Sequence, residues 1–566
     1  MYISLRTKVF VLVVATLALA ACGGSGSSTT SMGVSVSPSG VQVLAGATQQ
    51  MTATASDGGT AFVWQVNGVT GGNSSLGTIS ATGLYAAPNL PPAGGKVTIT
   101  AVEQGNSGAS GSATLMIAYA NVSLRGSYVF ALSGNNQGAP WFAIGEFTAN
   151  GTGQISSGLQ DINNGTAIQT KAVFTGSYSI NPDGSGSLAL GNLNFELSMQ
   201  ANGQAFLLST SNGSTLTGSL SVQDPAAGNV SAFTAPLILN TGGQTGAQGF
   251  DQLALISTVS GTSISGFEDV NGSKPLSRTS YTGSYAFDGN NHGTLTIKDS
   301  NGDHVYSFYV ASASDFALLS DDLGVTANGN LSAQAPQTYT NSSLSGPYVF
   351  LINGNSATQY YVQAGQFNPN GLGSLGTVTT DINMPGNVQS NVNVTGTYSA
   401  DANVNGRGTL TLNNPGNTTP QNYVYYMLSP QLAELITTNS AIAAGGYIVM
   451  QTQGSAFNNA FLNGTYGFAL GSQTSATNLS AAVGTLGLDG NGNLRGRMLQ
   501  NLSGNVSSML SLGGNYLLNG GARGTATINS SGGSSPFAIY PINSDEFLLI
   551  GTNAASPYFG FATNQN

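Results

Sequence analysis

The chain has 566 residues, of which 79 are Gly, 40% are hydrophobic and only 6% are charged. That is enough apolar material to bury several cores, so a chain disordered throughout is excluded, and the Ser, Thr, Asn and Gly background favours strands and turns over helix. With 22 acidic against 12 basic residues and a net charge of −10, the surface repels phosphate backbones, which argues against nucleic acid as a partner.

The chain begins with Arg6 and Lys8, an apolar run from Val9 to Leu19, and then small residues. This is the pattern of an export leader. Leu19-Ala-Ala-Cys22 resembles the lipobox of bacterial lipoproteins, and Cys22 is the only cysteine in the sequence. The resemblance implies cleavage after residue 21, lipidation of Cys22 and a membrane anchor. A signal-anchor helix is the alternative, but the run is short for a bilayer span. Residues 22–32 then form a Gly/Ser/Thr tether. In the lipoproteins that this segment resembles, an Asp after the Cys retains the product at the inner membrane. Gly23 stands there instead, which implies the outer membrane in a two-membrane host. With Cys22 consumed, the exported part has no thiol for disulfides and must be held by burial and hydrogen bonds.

Residues 33–118 read as a first module of short alternating runs, among them Val41 to Gly46, Phe62 to Val66, Val97 to Ala101 and Ala113 to Ile117. Such runs separated by turn residues predict a sandwich with Trp64 in its core. The stretch Gly77-Thr-Ile-Ser-Ala-Thr-Gly-Leu-Tyr-Ala-Ala-Pro88 with the strands after it resembles bacterial Ig-like domains of the Big type. The resemblance implies an Ig-like sandwich without an inter-sheet disulfide, used as a stalk or an adhesion module.

From residue 121 the sequence repeats itself. Gly126-Ser-Tyr-Val-Phe130 returns as Gly346-Pro-Tyr-Val-Phe350 and Gly464-Thr-Tyr-Gly-Phe468. Asp161-Ile-Asn163 returns as Asp269-Val-Asn271 and Asp381-Ile-Asn383, and Thr175-Gly-Ser-Tyr178 as Thr282-Gly-Ser-Tyr285. Spacing of these landmarks places four units of roughly 110 residues, at 121–224, 230–335, 340–452 and 458–566. The second lacks the opening motif and the fourth lacks the Asp-x-Asn element. Within a unit, about eight strands follow one another through hairpin-type links such as Asn150-Gly-Thr-Gly153 and Asn405-Gly-Arg-Gly408.

The predicted fold is therefore all-β: an Ig-like sandwich followed by four antiparallel β units. Eight successive hairpin strands join first to last as a small up-and-down barrel, which removes both exposed edges. A two-sheet sandwich is the alternative. An eight-stranded barrel has room for side chains or one small ligand, and the alternating Tyr and Phe of the opener predict solid interiors. The arrangement resembles acidobacterial-type surface lipoproteins in which an Ig-like module precedes Gly-x-Tyr-x-Phe β repeats.

Catalytic chemistry is thinly represented. The two histidines, His292 and His304, lie in Asn/Asp/Gly contexts of the second unit, where no triad is apparent. No cluster of His, Cys and carboxylates has zinc spacing, so no metal or other cofactor is expected. The recurring aspartates Asp161, Asp269 and Asp381 read as caps of Asx-type turns. Glu146 aligns with Gln366, so the units share no catalytic acid. Aromatic pairs after the first hairpin, Trp141 with Phe142 and Tyr360 with Tyr361, are candidates for stacking on sugar rings or for core residues. The sequence thus points to a lipid-anchored, non-enzymatic cell-envelope protein, used for adhesion to host or neighbouring cells or for binding an extracellular polysaccharide. A secreted carbohydrate-active enzyme using Asp or Glu, or a structural spacer, are the alternatives.

Overall fold

The computed structural model describes residues 33–565 apart from 106–107, 247, 356–359, 385, 414–419, 439–441, 453–456, 474–478 and 555–557. Cys22 and the leader lie outside the described residues. The chain divides into two compact units, one ending at Tyr119 and the other beginning at Ala120.

The first unit is built of short sheets around one core. Strands Val41–Leu44, Ser110–Ala118, Lys96–Glu103, Phe62–Val66 and Val69–Thr70 pair in that order, and two smaller sheets complete it. Val41–Leu44 runs parallel to Ser110–Ala118, whereas the other pairings within this sheet are antiparallel. Alternation along these strands turns Trp64, Val66, Ile99, Leu115 and Ile117 into the shared core. The Tyr85 hydroxyl, buried by burial of its whole ring, is satisfied by donating to the Leu76 carbonyl at 2.7 Å.

The second unit consists of four closed antiparallel barrels of eight strands. Barrel 1 runs from its first strand Arg125–Asn136 to its last, Ser214–Val222, and these two pair along their length. Barrels 2 and 3 close the same way, Leu237–Thr245 on Val325–Ala333 and Tyr348–Asn355 on Ala443–Met450. Barrel 4 closes Asn463–Gln473 on Phe559–Asn564 and carries one extra short strand, Asn505–Val506, where its fourth strand is interrupted. The barrel expectation holds and the sandwich alternative for the repeats does not. Among the described residues, helix is confined to five three-residue 3-10 turns.

Closure has a repeated sequence signature. Gly218, Gly329, Gly446 and Gly560 each sit in a last strand where it meets the first, and a β-carbon there would lie 1.9–2.0 Å from a backbone carbonyl oxygen of the first strand. Only glycine allows the two backbones to approach this closely.

The opener fills one end of barrels 1, 3 and 4. Tyr128 stacks on Phe147 with ring centroids 5.6 Å apart, Tyr348 on Phe367 at 5.9 Å, and Tyr466 meets Phe547 edge-on at 5.1 Å. Barrel 2, which lacks the opener, has Leu237 and Leu239 at the corresponding ladder positions. There Phe233, from the segment before the first strand, supplies the missing ring and stacks on Tyr285 at 4.3 Å. The Thr-Gly-x-Tyr landmark is explained by its tyrosine: Tyr285 and Tyr398, and Tyr516 of Gly-Gly-Asn-Tyr in the fourth strand of barrel 4, donate to the carbonyls of Gly261, Leu344 and Leu462 at 2.8–2.9 Å, tying the fourth strand to the start of a hairpin or of the unit.

Candidate functional site at the seams between barrels

The polar groups with chemical potential gather where one barrel meets the next. In barrel 1 the third strand, Gln154–Asn163, pairs Ile162 with Ala143 and Asp161 with Ile144. Ile162 faces the interior, so Asp161 and Asn163 face outward by alternation. They meet barrel 2.

Four equivalent seams follow. At the first, His292 Nε2 lies 2.8 Å from Asp161 Oδ2 and the Tyr309 hydroxyl donates to Asp161 Oδ1 at 3.2 Å. At the second, Arg407 grips Asp269 with Nε and Nη2 at 2.8 and 2.7 Å, and the Tyr426 hydroxyl donates to the same carboxylate at 2.8 Å. At the third, Arg523 grips Asp381 with Nε and Nη2, both at 2.7 Å, and Tyr540 again donates to it. Each set comprises a carboxylate from one barrel and a cation and a tyrosine from the next.

The fourth seam joins barrel 4 to barrel 1 and changes all three members. Leu499 stands two residues before Asn501, Ser185 stands before Gly186 as His292, Arg407 and Arg523 stand before a glycine, and Ser198 pairs with Ser185 as Tyr309 pairs with His292. A buried Arg or Asp left without its partner would cost several kcal/mol, roughly 3–5. Replacing carboxylate, cation and phenol together avoids this. Nearby, Arg497 pairs instead with Asp183 and Ser185.

Two neutral contacts persist at every seam. Asn163, Asn271, Asn383 and Asn501 each fork their amide onto two backbone carbonyls of the next barrel; for Asn501 these are Ser209 and Ser214, at 2.8 and 2.6 Å. Gln223, Gln334, Gln451 and Gln565, at the barrel ends, donate to the carbonyls of Val310, Met427, Pro541 and Met199 at 2.6–2.8 Å. Because Asn501 and Gln565 of barrel 4 reach barrel 1, the contacts form a closed cycle.

The carboxylates also shape their own barrels. Asp161, Asp269 and Asp381 accept from the backbone N–H of Lys171, Arg278 and Asn391 at 2.6–3.0 Å. Those three residues are left-handed, with φ of 49–57°, and lie opposite register shifts in the third-to-fourth strand ladder. The aspartates thus cap β-bulges, rather than the Asx-type turns expected, and use the rest of the carboxylate for the next barrel.

The first seam looks catalytic in isolation. His292 is 2% exposed, lies between Asp161 and Asp288, and touches a buried Tyr309. Burial pulls its pKa down, but the two carboxylates outweigh this and hold it above the ordinary histidine value. Its equivalents are arginines, which cannot exchange protons at any ordinary pH. The shared task of the three is therefore to hold a positive charge against a buried carboxylate.

The predicted aromatic pairs are split by strand alternation. Trp141, Tyr360 and Tyr361 are buried and Phe142 is half-buried, so none forms an exposed platform for a sugar ring. Trp141 and Tyr361 lie on the inward faces of barrels 1 and 3, Tyr361 within the core of barrel 3. Phe142 and Tyr360 face outward into a space of about 80 Å³ where the four barrels meet, lined also by Asn135, Gly243 and Ser480. That holds a few waters and no more. Both strand faces are covered, one by the barrel and the other by its neighbours.

The remaining candidates are placed as follows. Glu146 accepts from Gln223 and, in barrel 2, Asn291. His304 bonds Asp322 at 2.7 Å within barrel 2. Inside the same barrel Glu268 is fully buried, accepts from Gln252 at 2.7 Å, and is pushed up by burial to a pKa of about 8. Among the described residues, no group of three or more His, Cys, Asp and Glu is arranged to hold a metal ion. The seam cations were missed in the sequence because they lie beside glycine-rich hairpins. Asn-His-Gly293 and Gly-Arg-Gly408 carry the signal, a lone cation before a glycine, in a chain with few cations.

No family model and no curated protein matches the chain. Among solved structures, that of CghA with Sch210972 is similar over 57% of this chain and 86% of that chain, at 6% identity and a TM-score of 0.16. So remote a likeness carries no functional argument.

Proposed function

We propose that this is a lipid-anchored protein of the bacterial cell envelope that works by binding rather than catalysis. Its Big-type Ig-like module and its four-barrel body serve adhesion or the binding of an extracellular polysaccharide. The observation that supports this best is where the reactive groups are used: the recurring carboxylates are each engaged by a cation and a tyrosine of the next barrel. Such groups hold the barrels to one another and leave the hairpins as the parts offered to a partner.

The enzymatic alternative needs two carboxylates facing each other across an accessible cleft. Asp161, Asp269 and Asp381 are buried in three separate seams, which weighs against it. The anchor rests on the lipobox resemblance at Cys22, and outer-membrane placement on Gly23.

Two measurements test the reading. Cells expressing the chain are fed an alkynyl fatty acid; label on the protein that disappears in Cys22→Ala supports the anchor, and unlabelled protein refutes it. The exported portion is then applied to glycan arrays and to whole cells. Saturable binding supports the function, and failure on every surface sinks it.

A further inference from the structure

One end of barrel 4 opens into a recess. It measures about 540 Å³ and is lined by Phe468, Leu470, Ala482, Met498, Leu512 and Phe537 among others. That size falls in the range of small-molecule sites, roughly 300–1,000 Å³. The opener residues Tyr466, Phe468 and Leu470 are buried in a packed core, so the space lies at the far end of the barrel.

Strand register explains the space. Beside a glycine of the first strand, the second strand carries an inward aromatic in three barrels: Gly134 pairs with Trp141, Gly243 with Phe250 and Gly354 with Tyr361. In barrel 4 the same rung pairs Ser472 with Ser480. The neighbouring strand changes in step. Ile162, Val270 and Ile382 oppose the next inward residue of barrels 1, 2 and 3, and Gln500 takes their place in barrel 4. A large ring is lost and two polar side chains appear at one end of an otherwise apolar barrel. Leu502, 46% exposed, also lines the cavity, so an apolar side chain stands in solvent at its edge.

We infer that this end of barrel 4 is a binding site for a small, neutral, mainly apolar molecule. The body follows from the aliphatic and aromatic walls. Neutrality follows from the absence of Asp, Glu, Lys, Arg or His among the described lining residues, since a buried charge without a partner is heavily penalised. This site is separate from the surface binding proposed above, and either can fail without the other.

N-phenyl-1-naphthylamine, a neutral fluorophore with one N–H, is titrated into the full chain. The expected result is one saturable site, weakened at least tenfold by Ser480→Trp, which restores the missing ring, and by Ala482→Phe, one rung deeper. Absence of saturable enhancement in the unchanged chain overturns the proposal, as does binding within twofold in both variants. A readout that needs no variant is photolabelling with benzophenone: attachment at Met498 supports the site, and attachment only elsewhere overturns it.

Discussion

Asp381 and Arg523, 142 residues apart in sequence, meet in a two-pronged ion pair with both contacts at 2.7 Å. One belongs to barrel 3 and the other to barrel 4. Asp381→Ala leaves the guanidinium partly buried without its partner and lowers stability by roughly 3–5 kcal/mol. The triple change Asp381→Leu, Arg523→Ser, Tyr540→Ser copies the set native to the fourth seam and costs less than Asp381→Ala alone. Denaturant melts decide this. A triple variant as unstable as the single one refutes the view that the three positions exchange as a set.

Above neutral pH the first seam is expected to weaken, whereas the second and third, held by arginines, are not. The folded pKa of His292 lies above its ordinary value, so its contribution is complete below about 6.5 and is lost as pH rises through the raised value. The groups around it are Asp161, Asp288 with its partner Lys171, Tyr309, and Asp321, which burial pushes up to about 6. Amide exchange along the barrel 1–2 seam is expected to quicken at alkaline pH, and His292→Arg to remove that dependence. Equal acceleration at the arginine seams would contradict the assignment.

Glu268 works in the same direction by a different cause. Burial raises its pKa from 4.5 to about 8, so the folded state holds a proton that the unfolded state releases, and stability falls as pH rises from about 4.5 through 8. Glu268→Gln keeps the shape and removes the titration. At pH 7 it is expected to stabilise barrel 2 by about 2–3 kcal/mol, and at pH 4 to change little. Thermal melts at the two pH values give the comparison; a variant less stable at pH 7 argues that the carboxylate is stabilised by its surroundings.

Closure of the cycle rests on neutral contacts. Asn501→Ala removes two hydrogen bonds to Ser209 and Ser214 and leaves both carbonyls unpaired, at about 1 kcal/mol or more each. Faster hydrogen exchange in barrels 1 and 4, with barrels 2 and 3 unaffected, is the expected pattern. Uniform acceleration across all four barrels would show that the cycle opens as one unit.

Much of this was legible in the chain because strands, hairpins and repeats are local. Period-2 alternation in Tyr128, Phe130 and Leu132, turn residues at fixed offsets, and landmarks recurring about every 110 residues require no knowledge of long-range contacts. They determine an all-β chain of four related units, and the hairpin meander favours barrels. They do not determine what a strand's outer face meets. In Tyr360-Tyr361-Val362 every residue is buried, so alternation no longer separates core from surface, and aromatics that read as a possible sugar platform are a plug and an inter-barrel contact.

Tertiary structure alone decided the rest. The partnership of Asp269 with Arg407, the return of barrel 4 onto barrel 1 through Asn501 and Gln565, and the hollow left by Ser480 depend on groups brought together from distant segments. A single serine in a strand carries no local mark of a missing ring. Only the register that sets Ser480 on the rung of Trp141, Phe250 and Tyr361 gives it meaning, because volume in a closed barrel is shared among eight strands and no one strand encodes it.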